Sequence, residues 1–286
     1  MLVRALEDLA KRAGCQVFLT THTPTLARRF SQFSLRLVTE DNGQPIIRYG
    51  KEEDTLREIV DSLGVLPDHN IRVFLGVEGR NDINFLRTIS KILHDAGESV
   101  PDLGEAEDSG HLVIIPVCGN NLDLWVSRLK GFNRPEFYLI DRDTTPPIEP
   151  HYRTHADEIN QRNNCTAWHT SKRELENYIH KDLILSEYRN YAGTGRDFED
   201  VPSLFAQAVH EAATGDTPWA EVLADKEKYR GKISNAKKRL CTEFAARMTP
   251  ALLNQVDRQD DIRGWLRAIG AALSLDAASG QHETVT

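Results

Sequence analysis

Short apolar runs alternate with amphipathic segments through the middle of the chain. Four runs have the length and the β-branched or aromatic content of buried strands, namely residues 72–77, 112–117, 136–140 and 165–169. The segments between them have helical spacing and predict helices at residues 82–96, 121–130 and 151–163. Strands that alternate with helices indicate an α/β fold with a mostly parallel sheet and crossover helices on its faces.

The residues before and after this region follow other patterns. Before it, the sequence predicts a strand at residues 16–20, a hairpin of residues 34–38 and 45–48 around Asn42-Gly43, and helices at residues 2–13, 25–30 and 52–63. After it, apolar spacing predicts helices at residues 174–190, 202–213, 219–229, 232–246 and 260–273. The small and polar residues 277–286 are expected to fray.

Two pairs of carboxylates follow two of the predicted strands. Glu78 and Asp82 follow the first strand, and Asp141 and Asp143 follow the third. Ligands bind beyond the carboxyl ends of the strands in an open α/β sheet, so both pairs are expected at one edge. Carboxylates gathered there repel one another without a counter-ion, and hard divalent cations take oxygen ligands of this kind. The sequence therefore predicts a metal site, and carboxylate-only ligation favours Mg²⁺ or Mn²⁺ over zinc.

A third acidic pair, Glu174 and Glu176, follows the last predicted strand at the start of a predicted helix. Residues two apart in a regular helix diverge by roughly 200°. Both side chains can therefore face one metal only if this segment is not yet regular helix. Ser171, just before the pair, is either a helix N-cap or a further ligand, and we favour the cap.

The order and spacing of these motifs resemble a known family. Glu78 with Asp82, followed by Asp141 with Asp143, match the signature of the Toprim domain, the metal-binding α/β domain of topoisomerases, primases and certain nucleases. Residues 172–178, Lys-Arg-Glu-Leu-Glu-Asn-Tyr, resemble the third acidic motif of the OLD (overcoming lysogenization defect) family. In that family an ABC-type ATPase precedes a Toprim nuclease. The resemblance covers residues 1–180.

The resemblance also implies a domain organisation. It predicts the C-terminal remnant of an ABC-type ATPase at residues 1–50, a connector helix at 51–70, a Rossmann-like Toprim domain at 71–180, an all-helical domain at 181–275 and a flexible tail at 276–286. His22, in Thr-Thr-His-Thr-Pro, resembles the switch histidine at the end of an ATPase core. However, the sequence has no G-x-x-x-x-G-K-[ST] motif to cradle phosphates. We therefore expect ATP to act only through an N-terminal ATPase domain that this chain lacks.

The implied activity is that of a metal-dependent DNA endonuclease. Two Mg²⁺ or Mn²⁺ ions about 4 Å apart would clamp the attacking and leaving oxygens of an in-line displacement. The expected ligands are the six carboxylates. Glu78, Asp82 and Glu176 would bind one ion or bridge the two, Asp141 and Asp143 would bind the other, and Glu174 is a further candidate. The expected partner is DNA, and a homodimer is an open alternative.

A basic segment near the C-terminus is a second candidate for function. Residues 226–239 hold seven basic side chains: Lys226, Lys228, Arg230, Lys232, Lys237, Lys238 and Arg239. A charge run is usually a solvated helix face, but beside a phosphodiester site it is a candidate for contact with the DNA backbone. Lys232 follows Gly231 at a predicted helix start, and we assign it as the catalytic lysine that reaches the scissile phosphate.

Two other functions fit parts of the same sequence. Residues 141–145 also match D-x-D-x-T, the motif in which a phosphatase uses the first Asp as nucleophile and the second as acid/base. Two strands and a Glu-Gly motif precede this run, and Pro146-Pro147 replaces the expected Gly-rich flap, which disfavours the phosphatase. Alternatively, the domain is a non-catalytic module that binds Mg²⁺ for assembly with an ATPase. On a purely structural interpretation, Asp82 is an N-cap and Glu78 a solvated loop residue.

Bulk composition changes this picture little. A chain of 286 residues has room for more than one domain. The formal net charge of −8 does not by itself favour nucleic-acid binding, but an acidic metal site contributes to it, and bound cations reverse the local sign. The four cysteines are scattered, and no apolar stretch reaches the length of a membrane span. We expect a cytoplasmic protein with reduced thiols and no membrane partner.

Overall fold

A four-stranded parallel sheet lies at the centre of residues 71–286 in the computed structural model of the chain. Its strands are β3 (Val73–Val77), β4 (Leu112–Pro116), β5 (Glu136–Ile140) and β6 (Cys165–His169), arranged in the order β4-β3-β5-β6. All three pairings are parallel. Every residue of the two central strands, β3 and β5, is buried, as expected for strands covered on both faces. The predicted parallel α/β sheet is confirmed, with each strand within one residue of its predicted bounds.

The structure describes residues 14–21, 34–41, 44–49, 71–117, 125–126, 129, 132, 134–214 and 218–279. The chain divides into two compact units, Met1–Asn70 and Ile71–Thr286. The predicted helices at 2–13, 25–30 and 52–63 lie outside the described residues, as does most of the helix predicted at 121–130. The same is true of His22.

The described part of the first unit contains an antiparallel hairpin. Strands β1 (Arg36–Asp41) and β2 (Gln44–Tyr49) pair from Arg36 opposite Tyr49 to Asp41 opposite Gln44, which confirms the predicted hairpin. The predicted strand at 16–20 is wrong, because residues 14–21 adopt no regular structure. A strand requires a backbone partner, and no described residue pairs with this run. The ATPase remnant stays a prediction.

Three helices accompany the sheet in the described residues. Helix α1 (Arg80–Asp95) buries Phe85, Leu86, Ile89 and Leu93 along one side, which is the spacing that predicted it. Helix α3 (Arg153–Asn160) is shorter than the predicted 151–163. Helix α2 (Leu103–Asp108) is not among the predicted helices, because its polar sequence has a single buried apolar residue, Leu103. The Asp102 carboxylate caps it by accepting hydrogen bonds from two backbone N–H groups.

The segment after β6 is almost entirely helical. It comprises a 3₁₀ turn (Leu175–Tyr178), α4 (Lys181–Glu187), α5 (Val201–Thr214), α6 (Trp219–Ala224), α7 (Lys226–Arg239), a π turn (Leu240–Phe244), a second 3₁₀ turn (Ala245–Arg247), α8 (Pro250–Val256) and α9 (Asp261–Ser279). Among these helices, none has the length and hydropathy needed to cross a bilayer.

Several helix boundaries differ from the prediction. The single helix predicted at 174–190 is wrong, since a 3₁₀ turn precedes α4. The break predicted near Gly231 is also wrong: Asp225 caps α7, which runs through Gly231 without interruption. A glycine inside a helix costs only about 1 kcal/mol relative to alanine, and packing offsets this. Helix α8 was missed, although Thr249 caps it and proline occupies its first position.

Sheet and helices share one hydrophobic core. Its buried members include Leu75 on β3, Phe205 on α5, Leu240 after α7 and Leu266 on α9. The Trp168 ring on β6 stacks on Phe137, with centroids 5.1 Å apart. This core crosses the predicted boundary at residue 180, because the two turns that follow α7 pack against α1 of the α/β part.

Candidate metal centre

Three buried carboxylates meet at the carboxyl edge of the sheet. Asp141 directly follows β5, and Glu174 and Glu176 lie beyond the end of β6. Each offers one oxygen, and these three oxygens lie within 4.8 Å of one another. The residues are 5%, 5% and 1% exposed, respectively. Acidic groups this close and this buried cannot all be ionised without a compensating cation.

The backbone of the 172–178 segment allows both glutamates to reach the same point. Glu174 is extended, at φ −155° and ψ 171°, and Glu176 lies inside the following 3₁₀ turn. As expected, Glu174 and Glu176 face the same site because neither lies in a regular α-helix. The Arg173 carbonyl accepts a hydrogen bond from the Asp143 N–H at 2.8 Å, which ties this segment to the loop after β5.

Glu78 and Asp82 lie next to this group, since the charges of both act on Asp141. The Asp82 carboxylate accepts a hydrogen bond from the Gly79 N–H at 2.8 Å and is 8% exposed. Gly79 is the N-cap of α1, so the structural interpretation of Asp82 as the N-cap is wrong. Glu78 is not merely a solvated loop residue, because its Oε1 accepts a hydrogen bond from the Asp141 N–H at 3.1 Å. That bond links the ends of β3 and β5.

Asp143 is the outlying member of the predicted set. It is exposed and adopts a left-handed conformation with φ +59°, which aspartate tolerates better than most residues. On an extended chain, side chains two residues apart would point the same way, but the left-handed backbone at Asp143 breaks this alignment with Asp141. Asp141 points into the buried group, whereas Asp143 lies at its outer side.

Lys237 contacts the buried carboxylates. The Nζ of Lys237 on α7 lies 2.6 Å from Glu174 Oε2 and 3.9 Å from Glu176 Oε1. The helix-start argument for Lys232 is wrong, because α7 begins at Lys226. The signal for Lys237 was present in the sequence: it lies next to Ala236 and four residues before Cys241, on the buried side of α7.

Burial and mutual repulsion raise the proton affinity of these acids. Burial, then the Asp82 and Glu78 charges, raise the pKa of Asp141 well above its ordinary value. Burial and the Glu174 charge raise the pKa of Glu176 to about 8. Burial raises the pKa of Glu78 to about 7, with help from neighbouring carboxylates, and the pKa of Asp82 to about 6. Near neutral pH the group therefore takes up protons or a cation.

The chemistry of the donors fits a hard divalent cation. Glu176 Oε2 is buried and has no hydrogen-bond partner, so it is free to bind an ion. The Cys241 thiol, 3.6 Å from Glu176 Oε1, donates a hydrogen bond to it. Burial and the Glu176 charge raise the pKa of Cys241, which keeps the thiol protonated and disfavours a thiolate-bound soft metal. Carboxylate oxygens remain as ligands, which suits Mg²⁺ or Mn²⁺.

A polar cleft of about 380 Å³ lies beyond the end of β6, next to the segment that carries the glutamates. Lys172, Arg196 and Arg258 line it together with Asp197.

The favoured interpretation of Ser171 as an N-cap is wrong: its N–H donates to Asp261, and its Oγ lies 3.3 Å from the Tyr178 hydroxyl.

The basic segment 226–239 is divided between internal and exposed roles. Lys237 faces the carboxylates, while Arg239 pairs with Glu187 and Glu243 and donates to the Tyr188 hydroxyl. The exposed members are Lys226, Lys228, Arg230 and Lys238.

Among the comparisons with known proteins, matches were found only among solved structures. No protein-family model matches the chain, and no curated protein matches it. Two solved structures of the C-terminal region of the Xanthomonas campestris pv. campestris OLD protein, phased with platinum and with iodine, are 14% and 17% identical to it. They cover 74% and 73% of this chain and 98% of their own, with TM-scores of 0.41 and 0.42. The C-terminal region of the Burkholderia pseudomallei OLD protein is 15% identical, covers 68% of this chain and 98% of its own, and has a TM-score of 0.37.

The structural neighbours of this chain are C-terminal regions of OLD proteins. The resemblance predicted from the motifs is thereby confirmed as a similarity. At these identities and TM-scores the likeness to OLD proteins assigns no role to any residue, and the function is argued below from the site itself.

The six carboxylates of the OLD-like motifs thus occupy three positions. Asp141, Glu174 and Glu176 form the buried group, Glu78 and Asp82 lie next to it, and the exposed Asp143 lies at its outer side. The division of ligands between two ions stays a prediction, as does the catalytic role of Lys232.

Proposed function

We propose that this chain is a divalent-metal-dependent nuclease that hydrolyses phosphodiester bonds in DNA. The observation that carries the proposal is the buried group of Asp141, Glu174 and Glu176, with oxygens within 4.8 Å of one another. Carboxylate sites that hold Mg²⁺ or Mn²⁺ are typical of enzymes that act on phosphate esters. The motif order in the sequence supports the same class.

The carboxylates would hold the cation and fix its surroundings. Asp141, Glu174 and Glu176 supply direct ligands, with Glu176 Oε2 lacking any other partner. When bound, the cation supplies Lewis acidity at the phosphoryl group and charge neutralisation in the transition state. Glu78 orients Asp141 by accepting its backbone N–H, and with Asp143 it offers oxygens for a second ion on the outer side.

Lys237 is the cationic side chain best placed to act on the phosphate. Burial alone would lower the pKa of Lys237, but Glu176 and Glu174 raise it, so the side chain stays charged. With Glu174 and Glu176 serving as ligands of a divalent cation, the Lys237 ammonium would be available to a non-bridging oxygen of the substrate phosphate. A fixed positive charge stabilises the transition state more than the ground state, because negative charge on the phosphoryl oxygens is redistributed there. We therefore propose for Lys237 the role predicted for Lys232.

The exposed lysines and arginine of α7 supply a path for the DNA backbone. Arg230 lies seven residues before Lys237 on the same helix, which corresponds to about 10 Å along the axis. Contacts from Lys226, Lys228 and Arg230 to phosphates would position DNA without reading its sequence.

Incubation of supercoiled plasmid with Mn²⁺ or Mg²⁺, with and without EDTA, tests the proposal. We expect conversion to nicked and linear forms that EDTA and Asp141→Asn both prevent. Asp157→Asn is the matched control, since Asp157 is an exposed acid that pairs with Arg153 on α3.

Other outcomes assign the chain to another class. Plasmid that stays intact at high protein concentration would contradict the nuclease and favour a metal-binding module. Hydrolysis of p-nitrophenyl phosphate without hydrolysis of bis-p-nitrophenyl phosphate or plasmid would favour the phosphatase interpretation of Asp141-Arg142-Asp143.

A further inference from the structure

Three rings form a cluster where the loop after β5 enters α3. The Tyr152 ring contacts His151, with centroids 4.6 Å apart at 87°, and His155, with centroids 5.9 Å apart at 70°. His151 is exposed, and Tyr152 and His155 are half-buried. These three side chains, His151, Tyr152 and His155, are called the ring cluster below.

The ring cluster lies beside the outer carboxylates of the metal centre. Its loop begins directly after Asp143. Burial and then the Glu78 and Asp143 charges raise the pKa of Tyr152, which places the phenol within electrostatic reach of both acids. The residues 144–150, which connect Asp143 to the ring cluster, contain no strand or helix.

The loop that carries the rings is internally braced. Thr144 Oγ1 donates to the carbonyls of Ile148 and Glu149, at 3.2 and 3.1 Å. At its far end, the Arg153 side chain pairs with Glu149 and Asp157. A braced loop holds its rings in place, which lowers the entropic cost of stacking a ligand on them.

The arrangement of the rings favours stacking over metal binding. The two histidines are four residues apart, a spacing that zinc sites also use on helices. Here, however, Tyr152 lies in ring contact with both of them, and His151 precedes the first residue of α3. The cluster therefore presents aromatic rings near Glu78 and Asp143, the outer acids of the candidate metal centre.

We propose that the ring cluster is a stacking platform for an unpaired nucleobase next to the scissile phosphate. Every base has a flat π-face, so stacking on aromatic rings is tolerant of sequence. A base within an intact duplex already stacks on its neighbours, so only an unpaired or extruded base can occupy the platform. The site accordingly prefers single-stranded or locally unpaired DNA to intact duplex. This inference rests on the proposed nuclease function.

Binding of an oligonucleotide that contains 2-aminopurine tests the platform separately from cleavage. An Asp141→Asn background in Mg²⁺ prevents turnover, and stacking of the fluorescent base on a ring quenches its emission. We expect quenching with a single strand and not with a duplex. Tyr152→Leu should abolish the quench and weaken single-strand binding by roughly five-fold or more. Duplex binding should not change.

Two further variants make the test specific. Tyr152→Phe should retain quenching and affinity, because it keeps the ring and removes only the hydroxyl. Ile148→Ala, at an exposed aliphatic residue of the same loop, should behave like the parent. Thermal unfolding of each variant checks that the fold is intact.

The inference and the nuclease proposal fail in different ways. Equal binding and quenching by Tyr152→Leu and its parent would overturn the platform, as would a loss in Tyr152→Phe as large as that in Tyr152→Leu. Stoichiometric Zn²⁺ binding that depends on both histidines would overturn it as well. If the wild-type chain cleaves no plasmid yet the quench depends on the ring, the nuclease proposal fails and the base-binding platform stands.

Discussion

The ammonium nitrogen of Lys237 lies 2.6 Å from Oε2 of Glu174, although the two residues are 63 positions apart in the chain. This ion pair joins α7 to the segment after β6, so the helical part of the unit supplies a side chain to the acidic site. Together with Asp82, Asp141 and Glu176, Glu174 belongs to a set of four buried carboxylates that share this one lysine.

Removal of a carboxylate should separate activity from stability. We expect Asp141→Asn to abolish plasmid cleavage while the metal-free protein keeps or gains stability, because one source of repulsion is removed from the buried group. A gain of about 1 kcal/mol would raise the melting temperature of a unit this size by roughly 2–4 °C. Thermal unfolding in EDTA measures it. Cleavage at the wild-type rate would show that Asp141 is not a residue of the active site. Glu78→Ala is also expected to abolish cleavage.

Lys237 should matter for both stability and cleavage. We expect Lys237→Met to lower the metal-free free energy of unfolding by on the order of 2 kcal/mol, less than for a fully buried pair because Lys237 is partly exposed. Mg²⁺ should restore much of this loss. Single-turnover cleavage should slow far more than DNA affinity falls, since a charge at the phosphate acts most in the transition state.

Lys238 and Lys232 provide matched controls on the same helix. Lys238→Gln and Lys232→Gln should change DNA affinity slightly and leave the cleavage step intact. If Lys232→Gln instead slows cleavage while Lys237→Met does not, the lysine assigned from the sequence is correct and the one assigned from the geometry is wrong.

The metal-free protein should lose stability as the pH rises. The pKa values of Glu78, Asp82 and Glu176 are raised to about 7, about 6 and about 8 in the folded state, from ordinary values of 4.5, 3.8 and 4.5. The folded state therefore holds protons that the unfolded state has released, and its free energy of unfolding falls between about pH 4 and pH 8.

Denaturant titrations across this range, in EDTA and in Mg²⁺, measure the effect. Saturating Mg²⁺ should flatten the profile near pH 8, where ionised carboxylates bind the cation, and adds about 2.7 kcal/mol at a hundred-fold excess over Kd. A metal-free protein that becomes more stable between pH 5 and pH 8 would contradict the buried carboxylate group.

The exposed cations of α7 should control the salt dependence of DNA binding. Replacement of Lys226, Lys228 and Arg230 by glutamine should weaken binding to all sequences alike. It should also flatten the slope of log K against log salt by about 0.9 for each lost phosphate contact. A triple variant of Lys237, Lys238 and Arg239 would test this less cleanly, since two of these residues form internal ion pairs. If the slope of log K against log salt does not change, the exposed cations of α7 do not contact DNA and form an ordinary solvated helix face.

The sequence predicted the parts of this structure that local pattern determines. The strands at Val73–Val77 and Glu136–Ile140 were found because continuous apolar runs of that length are typical of strands buried on both faces. The approach of Glu78 to Asp141 followed from parallel topology, which brings the carboxyl ends of neighbouring strands together.

The remaining features depend on tertiary contacts that no local pattern encodes. Lys237 reaches Glu174 because α7 continues through Gly231, where the sequence favoured a break. Asp143 has a left-handed backbone, and its N–H donates a hydrogen bond to the carbonyl of Arg173, a residue on a different loop. The α8 helix, by contrast, carried its own signal in Thr249-Pro250, and a stricter search for caps would have found it.

The shared core also determines which fragment can be isolated as a working unit. A fragment that ends at residue 180 would keep all four strands and all six acids but would lose Phe205, Leu240 and Leu266 from its interior. It would also leave the glutamates without their lysine. We expect such a fragment to aggregate on expression, whereas residues 71–279 retain the apolar interior and the counter-charge together. The smallest unit that should fold on its own is therefore the sheet together with its C-terminal helices.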